Sequence, residues 1–281
     1  MRISLLLEEL KTAGERKLQR MAGKSHAKIT KMGFTSTQVL GNTLLSAYAK
    51  CGCLKAARLL FDEMPHRDQF SYATICTAFN AAGHPEKTLL LANQMLHALH
   101  PDHYVYSSLV KACATLGAFS QGKQMHAHFA VSPFRHDDIV KSSLVDMYAR
   151  CGRVELARAV FNSAESKSKA AWTSMISCYA RNGMKDEALT TLEENPDRNV
   201  QSWTAVISGL VQSGSSADCV AMFVRMRESQ LLADSTPFAS VLTACAALAS
   251  LDLGRQLHAQ AENFGHSSCS FVGSSLVDMY A

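Results

Sequence analysis

The chain has 281 residues, of which 47% are hydrophobic, a composition that supports a continuous buried core and excludes extensive disorder. Its formal net charge of +4 is a mild basic excess, compatible with a polyanionic partner but insufficient to identify one. No apolar run approaches the roughly 20 residues that a membrane-spanning helix needs, so we predict that the chain does not cross or anchor in a membrane.

The first twenty residues, MRISLLLEELKTAGERKLQR, contain three Glu. Organelle transit peptides are poor in acidic residues, so no transit peptide is visible here and the segment is predicted to belong to a folded helix. At the other end, the chain stops at LVDMYA, within a pattern that runs to completion twice earlier. We therefore expect these residues to be a fragment of a longer protein.

Between the two ends the sequence repeats itself. Residues 42–61, NTLLSAYAKCGCLKAARLLF, align without a gap on 142–161, SSLVDMYARCGRVELARAVF, and on 173–192, TSMISCYARNGMKDEALTTL, while 274–281 begins another copy. A second kind of unit ends a Gly-containing signature with His-Ala, at His26, His126 and His258. With the small polar residue near each start taken as position 5, the repeats are 3–37, 38–68, 69–102, 103–137, 138–168, 169–199, 200–234 and 235–269, followed by a truncated ninth at 270–281.

Each repeat has the pattern of a helical hairpin. Apolar residues recur two, three and six places after position 5, which is one face of a helix. Ten places after position 5 six repeats have a glycine, where a helix end requires a positive φ; these are Gly52, Gly83, Gly117, Gly152, Gly183 and Gly214. In the second stretch, Ala57, Ala157 and Ala188 are predicted at close helix approaches, Phe61, Phe161 and Phe223 between layers, and Pro65, Pro101 and Pro196 at helix ends.

One hairpin of this kind cannot bury its apolar face alone, so neighbouring repeats must stack. We therefore predict an all-α fold, a right-handed superhelix or solenoid of helical hairpins of 31–35 residues. The first helices of the hairpins should line a concave groove.

These motifs resemble those of plant pentatricopeptide repeat (PPR) proteins. The repeats NTLLSAYAKCGCLKAARLLFDEMPHRD and SSLVDMYARCGRVELARAVF are similar to the short S type, the GKQMHA and GRQLHA repeats to the L type, and 69–102 and 200–234 to the P type. The order L, S, P, L, S, S, P, L resembles the PLS subfamily, here without its C-terminal E/DYW region. The first repeat departs most, with Leu7 at position 5 and Lys17 in place of the turn glycine.

The resemblance implies sequence-selective binding of single-stranded RNA, one base per repeat, with the RNA running 5′ to 3′ as the repeats run N to C. It further implies a monomer that is the specificity module of an RNA editing or processing factor in the mitochondrion or chloroplast. Partner proteins that edit or process RNA would then supply the chemistry. Bases in single strands expose edges that two or three side chains per helical repeat can read.

In the family, position 5 and the last residue of the repeat form the base-reading pair. Carried onto this chain, Asn42 with Asp68 favours U, Thr173 with Asn199 favours A, and Thr204 with Asp234 favours G. Ser107 with Asp137 would favour G in a weakly reading L-type repeat, and Ser142 with Ser168 is poorly coded. The pairs Leu7–Thr37, Ala73–Asp102 and Ala239–Cys269 lack a hydrogen-bonding group at position 5 and should accept any base. The implied target contains U-n-n-n-A-G.

Two further sets of residues match family positions that contact RNA. Position 2, occupied among others by Phe70, Ile139 and Phe271, resembles the apolar wedge that stacks on bases. Lys50, Arg150 and Arg181, eight places after position 5, resemble the basic position that faces the phosphates.

Simpler interpretations stand beside these. The small polar residues at position 5 could merely solvate a groove or start a helix. For Lys50, Arg150 and Arg181, a cation stabilises a helix C-terminus whether or not a ligand binds there. The nine cysteines are odd in number and follow no secretory signal, which favours a reducing compartment. Because Cys51 and Cys151 are equivalent, as are Cys113 and Cys245, we interpret them as small packing residues.

No cofactor, metal site or catalytic residue is predicted, and we expect no enzyme activity. The triplet His97, His100 and His103 is interrupted by Pro101 and lacks further ligands for zinc. The run 84–86, His-Pro-Glu, matches half of a zinc deaminase signature, but the partner P-C-x-x-C is absent.

Two other functions remain open. One is a protein-binding scaffold of the tetratricopeptide type; that family keeps a regular 34-residue period with W-x2-L-G-x2-Y, which is missing here, so the mixed periods favour RNA. The other is a degenerate or truncated product without a function.

Overall fold

The computed structural model describes residues 2–32, 37–98, 100–229, 231, 234–266 and 269–281, which form α-helices and loops and include no β-strand. In chain order the helices are α1 (Arg2–Glu15), α2 (Gln19–Lys31), α3 (Gln38–Lys50), α4 (Leu54–Glu63), α5 (Gln69–Ala81), α6 (Pro85–Ala98), α7 (His103–Leu116), α8 (Phe119–Ala130), α9 (Asp138–Arg150), α10 (Val154–Ser163), α11 (Lys169–Arg181), α12 (Lys185–Glu194), α13 (Val200–Gln212), α14 (Ser216–Glu228), α15 (Ser235–Ala247), α16 (Leu251–Asn263) and α17 (Ser270–Tyr280). The predicted all-α class is confirmed, and α1 covers Arg2–Glu15 of the N-terminal segment that was expected to be helical.

The helices form two compact units, Met1–Met147 and Tyr148–Ala281. Within each unit the odd-numbered helices pack on one another in sequence, α1 on α3, α5 and α7 in the first and α11 on α13, α15 and α17 in the second. The even-numbered helices α2, α4, α6, α12, α14 and α16 each pack against the odd-numbered helix before and the one after, as α4 does against α3 and α5. Each unit is therefore a stack of hairpins in two layers.

The apolar face predicted for the first helices is buried. In α13, Val206, Ile207 and Leu210 are completely shielded from solvent, two, three and six places after Thr204. Thr204 itself remains partly exposed on the adjoining face. The spacing that predicted the helix thus also separates the buried residues from those available to a ligand.

The turn between the two helices of a hairpin uses the left-handed region at all six predicted glycines, with φ from 62° at Gly117 to 78° at Gly214. At Gly52 the chain closes as a C-cap, because Cys53 N–H donates to the Tyr48 carbonyl at 2.9 Å. The same position is left-handed at Lys17, with φ 52°, and at Ala249, with φ 50°. The turn geometry is therefore kept in two repeats that lack the glycine.

The second helices pack each hairpin against the next. Ala57, Ala157 and Ala188 are fully buried, and α4, α6 and α12 end before Pro65, Pro101 and Pro196, as predicted. The predicted phenylalanines lie edge-to-face on the aromatic residue at position 4 of the next repeat, in the pairs Phe61–Tyr72, Phe161–Trp172 and Phe223–Phe238, with ring centroids 5.1, 4.9 and 5.3 Å apart. Such pairs add to the free energy gained from apolar burial.

The His-Ala signature also joins consecutive repeats. Nδ1 of His26 lies 3.0 Å from the hydroxyl of Tyr48, and Nδ1 of His258 lies 3.0 Å from that of Tyr280. In both cases the histidine belongs to a second helix and the tyrosine to the first helix of the following repeat. The histidine is thus a structural contact between repeats.

Cysteines behave as packing residues where they are buried. Cys113 and Cys245 are fully shielded as predicted, whereas Cys51 and Cys151 are partly exposed. Burial raises the pKa of Cys76 to about 12, so that thiol stays neutral near pH 7.

Among the described residues no group of His, Cys, Asp and Glu is arranged to hold a metal ion. The side chain of His97 lies outside the described residues. His84 Nδ1 pairs with Glu86 Oε1 at 3.2 Å at the start of α6. No described helix combines the length and apolarity required to span a bilayer.

Candidate nucleic-acid interface

The position-5 side chains share one placement within the first helices. Each lies near the start of an odd-numbered helix, next to the buried apolar stripe, and each is partly exposed. The residues are Leu7, Asn42, Ala73, Ser107, Ser142, Thr173, Thr204 and Ala239. None of them is fully packed between the layers.

Asn42 and Asp68 are a predicted pair whose side chains meet directly. Nδ2 of Asn42 donates to Oδ2 of Asp68 at 2.9 Å, and Nε2 of Gln38 donates to the same oxygen at 2.6 Å. Oδ1 of Asp68 accepts the backbone N–H of Ser71 at 2.8 Å, which caps α5. Oδ1 of Asn42 is buried and has no hydrogen-bond partner in the described part of the chain.

These bonds determine the charge of the pair. Burial of Asp68 tends to raise the pKa of its carboxyl group, but the hydrogen bonds from Ser71, Asn42 and Gln38 outweigh it and hold that pKa below its usual value. Asp68 is therefore a carboxylate at neutral pH. A carboxylate only accepts hydrogen bonds.

In the second unit the threonines at position 5 bond within their own helices. The hydroxyls of Thr173 and Thr204 donate to carbonyls of their own helices, that of Lys169 at 2.9 Å and that of Val200 at 2.7 Å. The described residues include no hydrogen bond from either threonine to Asn199 or Asp234, its predicted partner in the pair. With its proton held by the helix, each threonine oxygen can accept a bond from a ligand.

Asn199 and Asp234 each use one side-chain atom to cap a helix. Oδ1 of Asn199 accepts the N–H of Ser202 at 3.1 Å, and Oδ1 of Asp234 accepts the N–H of Thr236 at 2.9 Å. The amide nitrogen of Asn199 and the second oxygen of Asp234 are not used in capping.

The remaining pairs are weaker candidates in the structure as well. Oγ of Ser107 is buried without a hydrogen-bond partner among the described residues, while Asp137 accepts the N–H groups of Ile139 and Val140. Ser142 donates to a carbonyl of its own helix at 2.7 Å, and Ser168 caps α11 by accepting an N–H at 3.1 Å. Ser142 lies in the first compact unit and Ser168 in the second.

The last residue of a repeat is thus the N-cap of the next repeat's first helix. A side-chain oxygen caps the helix at Asp68, Asp102, Ser168, Asn199 and Asp234, whereas Thr37 and Cys269 stand at the same place without a capping bond. Polar residues at this position therefore start helices, a role that the sequence analysis considered only for position 5.

The predicted stacking residues are exposed, Phe70 by 53%, Ile139 by 58% and Phe271 by 74%. Val39 and Tyr104, which the sequence analysis did not single out, occupy the same position 2 and are also exposed. Repeats 2 to 5 therefore each present a large apolar side chain there. Repeats 6 to 8 have Ala170, Gln201 and Thr236 instead.

Lys50, Arg150 and Arg181 are exposed and are the last residues of α3, α9 and α11. A cation at a helix C-terminus also complements the helix dipole, so this placement serves the fold whether or not a phosphate binds. In the other repeats the position is occupied by Glu15, Ala81, Thr115, Gln212 and Ala247. The predicted phosphate contacts are therefore few.

Parts of the chain match a known repeat. Residues 42–68, 140–168, 170–194 and 201–231 match the sequence model of the PPR repeat. The chain is 42% identical over 263 residues to the pentatricopeptide repeat-containing protein At2g13600 of Arabidopsis thaliana, covering 91% of this chain and 38% of that protein. It is 31% identical over 257 residues to the mitochondrial protein At3g24000 of the same plant, covering 91% of this chain and 36% of the relative.

The chain therefore spans about a third of the length of these two relatives. Among solved structures, the fold is similar to that of the pentatricopeptide repeat protein PPR10 in complex with an 18-nucleotide psaJ RNA element, with a TM-score of 0.80 and 17% identity over 98% of this chain and 42% of that one. The structure of PPR10 from maize gives a TM-score of 0.74 at 18% identity, over 98% and 41% of the two chains. At this identity the likeness shows the fold.

Proposed function

The chain is a pentatricopeptide repeat protein, and from this premise we propose that it binds single-stranded RNA and selects bases with paired side chains of successive repeats. The observation that supports this most is the contact between Asn42 and Asp68, whose polar groups meet at 2.9 Å beside the exposed start of a first helix. The RNA bound to PPR10 in a structure of the same fold adds support. We propose no catalytic activity for this chain.

The chemistry of the first pair suits uracil. The uracil edge presents one N–H donor between two carbonyl acceptors, and the carboxylate of Asp68 can only accept. The amide of Asn42 offers a donor to one of the carbonyl groups. Nδ2 has two N–H groups and donates one bond to Asp68, which supports a second bond from the same nitrogen to the base.

The other two pairs suit purines and differ only in the last residue. Guanine presents two N–H donors on its pairing edge, which match the acceptor oxygens of Thr204 and Asp234. Adenine presents one donor and one acceptor, which match Thr173 and the amide nitrogen of Asn199. That nitrogen remains available because Oδ1 of Asn199 accepts the capping bond.

Affinity that does not depend on the base sequence would come from the exposed position-2 side chains and from the basic residues at the ends of first helices. Stacking on an exposed aromatic side chain such as Phe70 contributes about 1–3 kcal/mol per base. Lys50, Arg150 and Arg181 would neutralise phosphates, which makes binding sensitive to salt.

We also propose the wider setting that the resemblance implies. The chain would be the specificity module of a PLS-type editing or processing factor that works with partner proteins, with a target containing U-n-n-n-A-G. Relatives named mitochondrial and chloroplastic support a place in one of these organelles.

The test is a selection from randomised single-stranded RNA with the purified chain. Enrichment of U, A and G at the proposed spacing is expected. In the Thr204→Asn variant, the preference at the last of these bases should change from G to U. Unselective RNA binding by both proteins would refute base reading, and no RNA binding together with binding of a protein partner would favour the scaffold.

Salt provides an independent check on the same preparation. The logarithm of the association constant should fall with the logarithm of salt concentration, with a slope of about −0.7 per phosphate neutralised. An affinity that does not respond to salt would contradict the proposed role of the three cations.

A further inference from the structure

The second helices of repeats 2 and 3, α4 and α6, border an apolar groove of about 740 Å³ in the first compact unit. Leu54 and Leu59 line one side and Leu90 and Leu91 the other, with the buried ring of Phe79 at the base. Leu59 is 64% exposed and Leu90 is 71% exposed. Both therefore present most of their side chain to solvent.

The repeat fold does not require leucine at these places. Leu59 and Leu90 both stand at position 22 of their repeats, and the remaining six complete repeats have Lys24, Gln124, Ala159, Thr190, Ala221 and Gln256 there. Six hairpins thus form with a small or polar residue at this position. The two leucines are a local feature of adjacent repeats, which is typical of a surface that binds something.

The equivalent surface of the second unit is bridged by ion pairs. Between α12 and α14, Lys185 pairs with Asp218, and Arg225 pairs with Glu193 at 3.3 Å. The residues at the same positions between α4 and α6 are Leu54 and Lys87 for the first pair, and Asp62 and Gln94 for the second. Neither bridge can form there, so this groove remains open.

The charged side chains that line the groove are all cations, namely Lys55, Arg58 and Lys87. Arg58 pairs with Asp62 of its own helix at 2.8 Å. Lys55 and Lys87 make no ion pair among the described residues, and the ammonium group of Lys87 lies 5.7 Å from the centre of the Phe79 ring. A ligand with carboxylates beside its apolar residues would complement both features.

We propose that the groove between α4 and α6 docks an acidic amphipathic α-helix of a partner protein. Large apolar residues of that helix, spaced three or four apart, would enter between Leu59 and Leu90, and its Asp and Glu side chains would reach Lys55 and Lys87. RNA fits this surface less well, because Phe79, the aromatic residue among the described residues that line the groove, is buried and cannot stack on a base. The groove is built from second helices, whereas the proposed base-reading pairs lie at the starts of first helices, so this inference does not rest on the RNA proposal.

The experiment uses the full chain as the target and selects binders from a library of displayed random peptides. The peptides have about 16 residues, which is long enough to form a helix. Enriched peptides should carry large apolar residues at helical spacing together with Asp or Glu. Their affinity should fall at least about tenfold in the Leu59→Ser/Leu90→Ser variant, as expected when central apolar anchors are removed. The Val131→Ser variant, which removes an 83% exposed side chain of the same unit outside the groove, should bind them unchanged.

A charge reversal tests the same proposal without removing any apolar side chain. In Lys55→Glu/Lys87→Glu the enriched acidic peptides should bind at least about tenfold more weakly, and peptides with Lys in place of Glu should bind more tightly. Circular dichroism establishes that each variant keeps its helical content.

Four outcomes would overturn the proposal. They are no enrichment of acidic amphipathic peptides, equal binding of the enriched peptides by the leucine variant, self-association of the wild-type chain that this variant abolishes, and loss of RNA affinity in this variant. The third would assign the groove to a second copy of the chain, and the fourth to RNA.

Discussion

The substitution Asp68→Asn separates base reading from folding at the pair that the structure defines best. Asn and Asp are equally good N-caps, so the bond from the Ser71 N–H, now 2.8 Å long, can be kept. The free energy of unfolding at neutral pH should fall by about 1 kcal/mol, because the cap is kept but the carboxylate oxygen that accepts the amide groups of Asn42 and Gln38 is lost. What changes is the chemistry offered to the base, because a carboxylate that only accepts becomes an amide that can also donate.

The expected change in specificity follows from donors and acceptors. Uracil presents an N–H where cytosine presents an acceptor nitrogen, so an amide donor in place of the carboxylate opposes uracil and suits cytosine. A buried donor that faces another donor costs about 1–3 kcal/mol, which corresponds to a factor of roughly 5 to 150 in affinity. We therefore expect the wild type to prefer U over C at this base by a factor in that range, and Asp68→Asn to prefer C over U.

The measurement is fluorescence anisotropy with two RNAs that differ only in U or C at the first base of U-n-n-n-A-G. Asp68→Ala is the control, because it removes both the cap and the reading group. It should lower the free energy of unfolding by about 2 kcal/mol, because the cap and the contacts with Asn42 and Gln38 are all lost, and it should abolish discrimination between the two RNAs. If Asp68→Asn folds normally and keeps the wild-type ratio of affinities, the pair does not read the base.

Three further perturbations test the packing, the stacking and the electrostatics. In Gly209→Ala an added Cβ would lie 2.5 Å from the Cβ and 3.2 Å from the carbonyl carbon of Ala180, so urea denaturation should show a loss of about 1–3 kcal/mol. In Gly23→Ala, where an added Cβ would have nothing within 4 Å, the free energy of unfolding should instead rise by about 0.5–1 kcal/mol. A change of the same sign in both variants would contradict the close approach at Gly209. Phe70→Ala should weaken RNA binding by about 1–3 kcal/mol whatever the base beside it, and a loss confined to one base would contradict stacking. The pKa of Asp68 is lowered in the fold, so its contribution to stability is complete above about pH 4 and disappears as the pH falls through the folded pKa. The midpoint temperature of thermal unfolding should therefore fall more steeply with decreasing pH in this range for the wild type than for Asp68→Asn. Parallel curves for the two proteins would refute this.

The hairpins could be predicted because the same pattern of apolar residues and glycines occurs in several repeats. A pattern that recurs identifies a helix or a turn more clearly than a single segment does. In α13 the apolar spacing after Thr204 placed the buried face correctly, since a helix repeats every 3.6 residues whatever surrounds it. The turn was predicted from glycine and therefore missed at Ala249, where φ is 50°. At this residue the packing of the hairpin imposes a conformation that the residue type alone does not favour.

Contacts between repeats were harder to predict than the elements themselves. The sequence showed that His26 and His258 occupy equivalent positions in their repeats. Their tyrosine partners, however, lie 22 residues further along the chain and are brought near only by the stacking of repeats. The exposure of Val39 and Tyr104 likewise depends on how the next hairpin covers the helix start. Such pairings are properties of the packed layers, and a pattern within one repeat does not contain them.

The N-cap role of the last residue bears on why some repeats should read a base and others should not. Asp and Asn side chains have two polar atoms, so one can cap the helix while the second is offered elsewhere, as the two oxygens of Asp68 show with Ser71 and Asn42. Ser168 has a single oxygen, and that oxygen accepts the capping N–H. A reading residue at this position must therefore meet two demands, a cap for the next helix and a polar atom at the groove, and Asp and Asn can meet them with two separate atoms whereas serine has one oxygen for both. On this argument Ser168→Asn should keep the cap of α11 and add a reading atom to its repeat, so that a base there becomes selected in the randomised RNA experiment while thermal stability is unchanged.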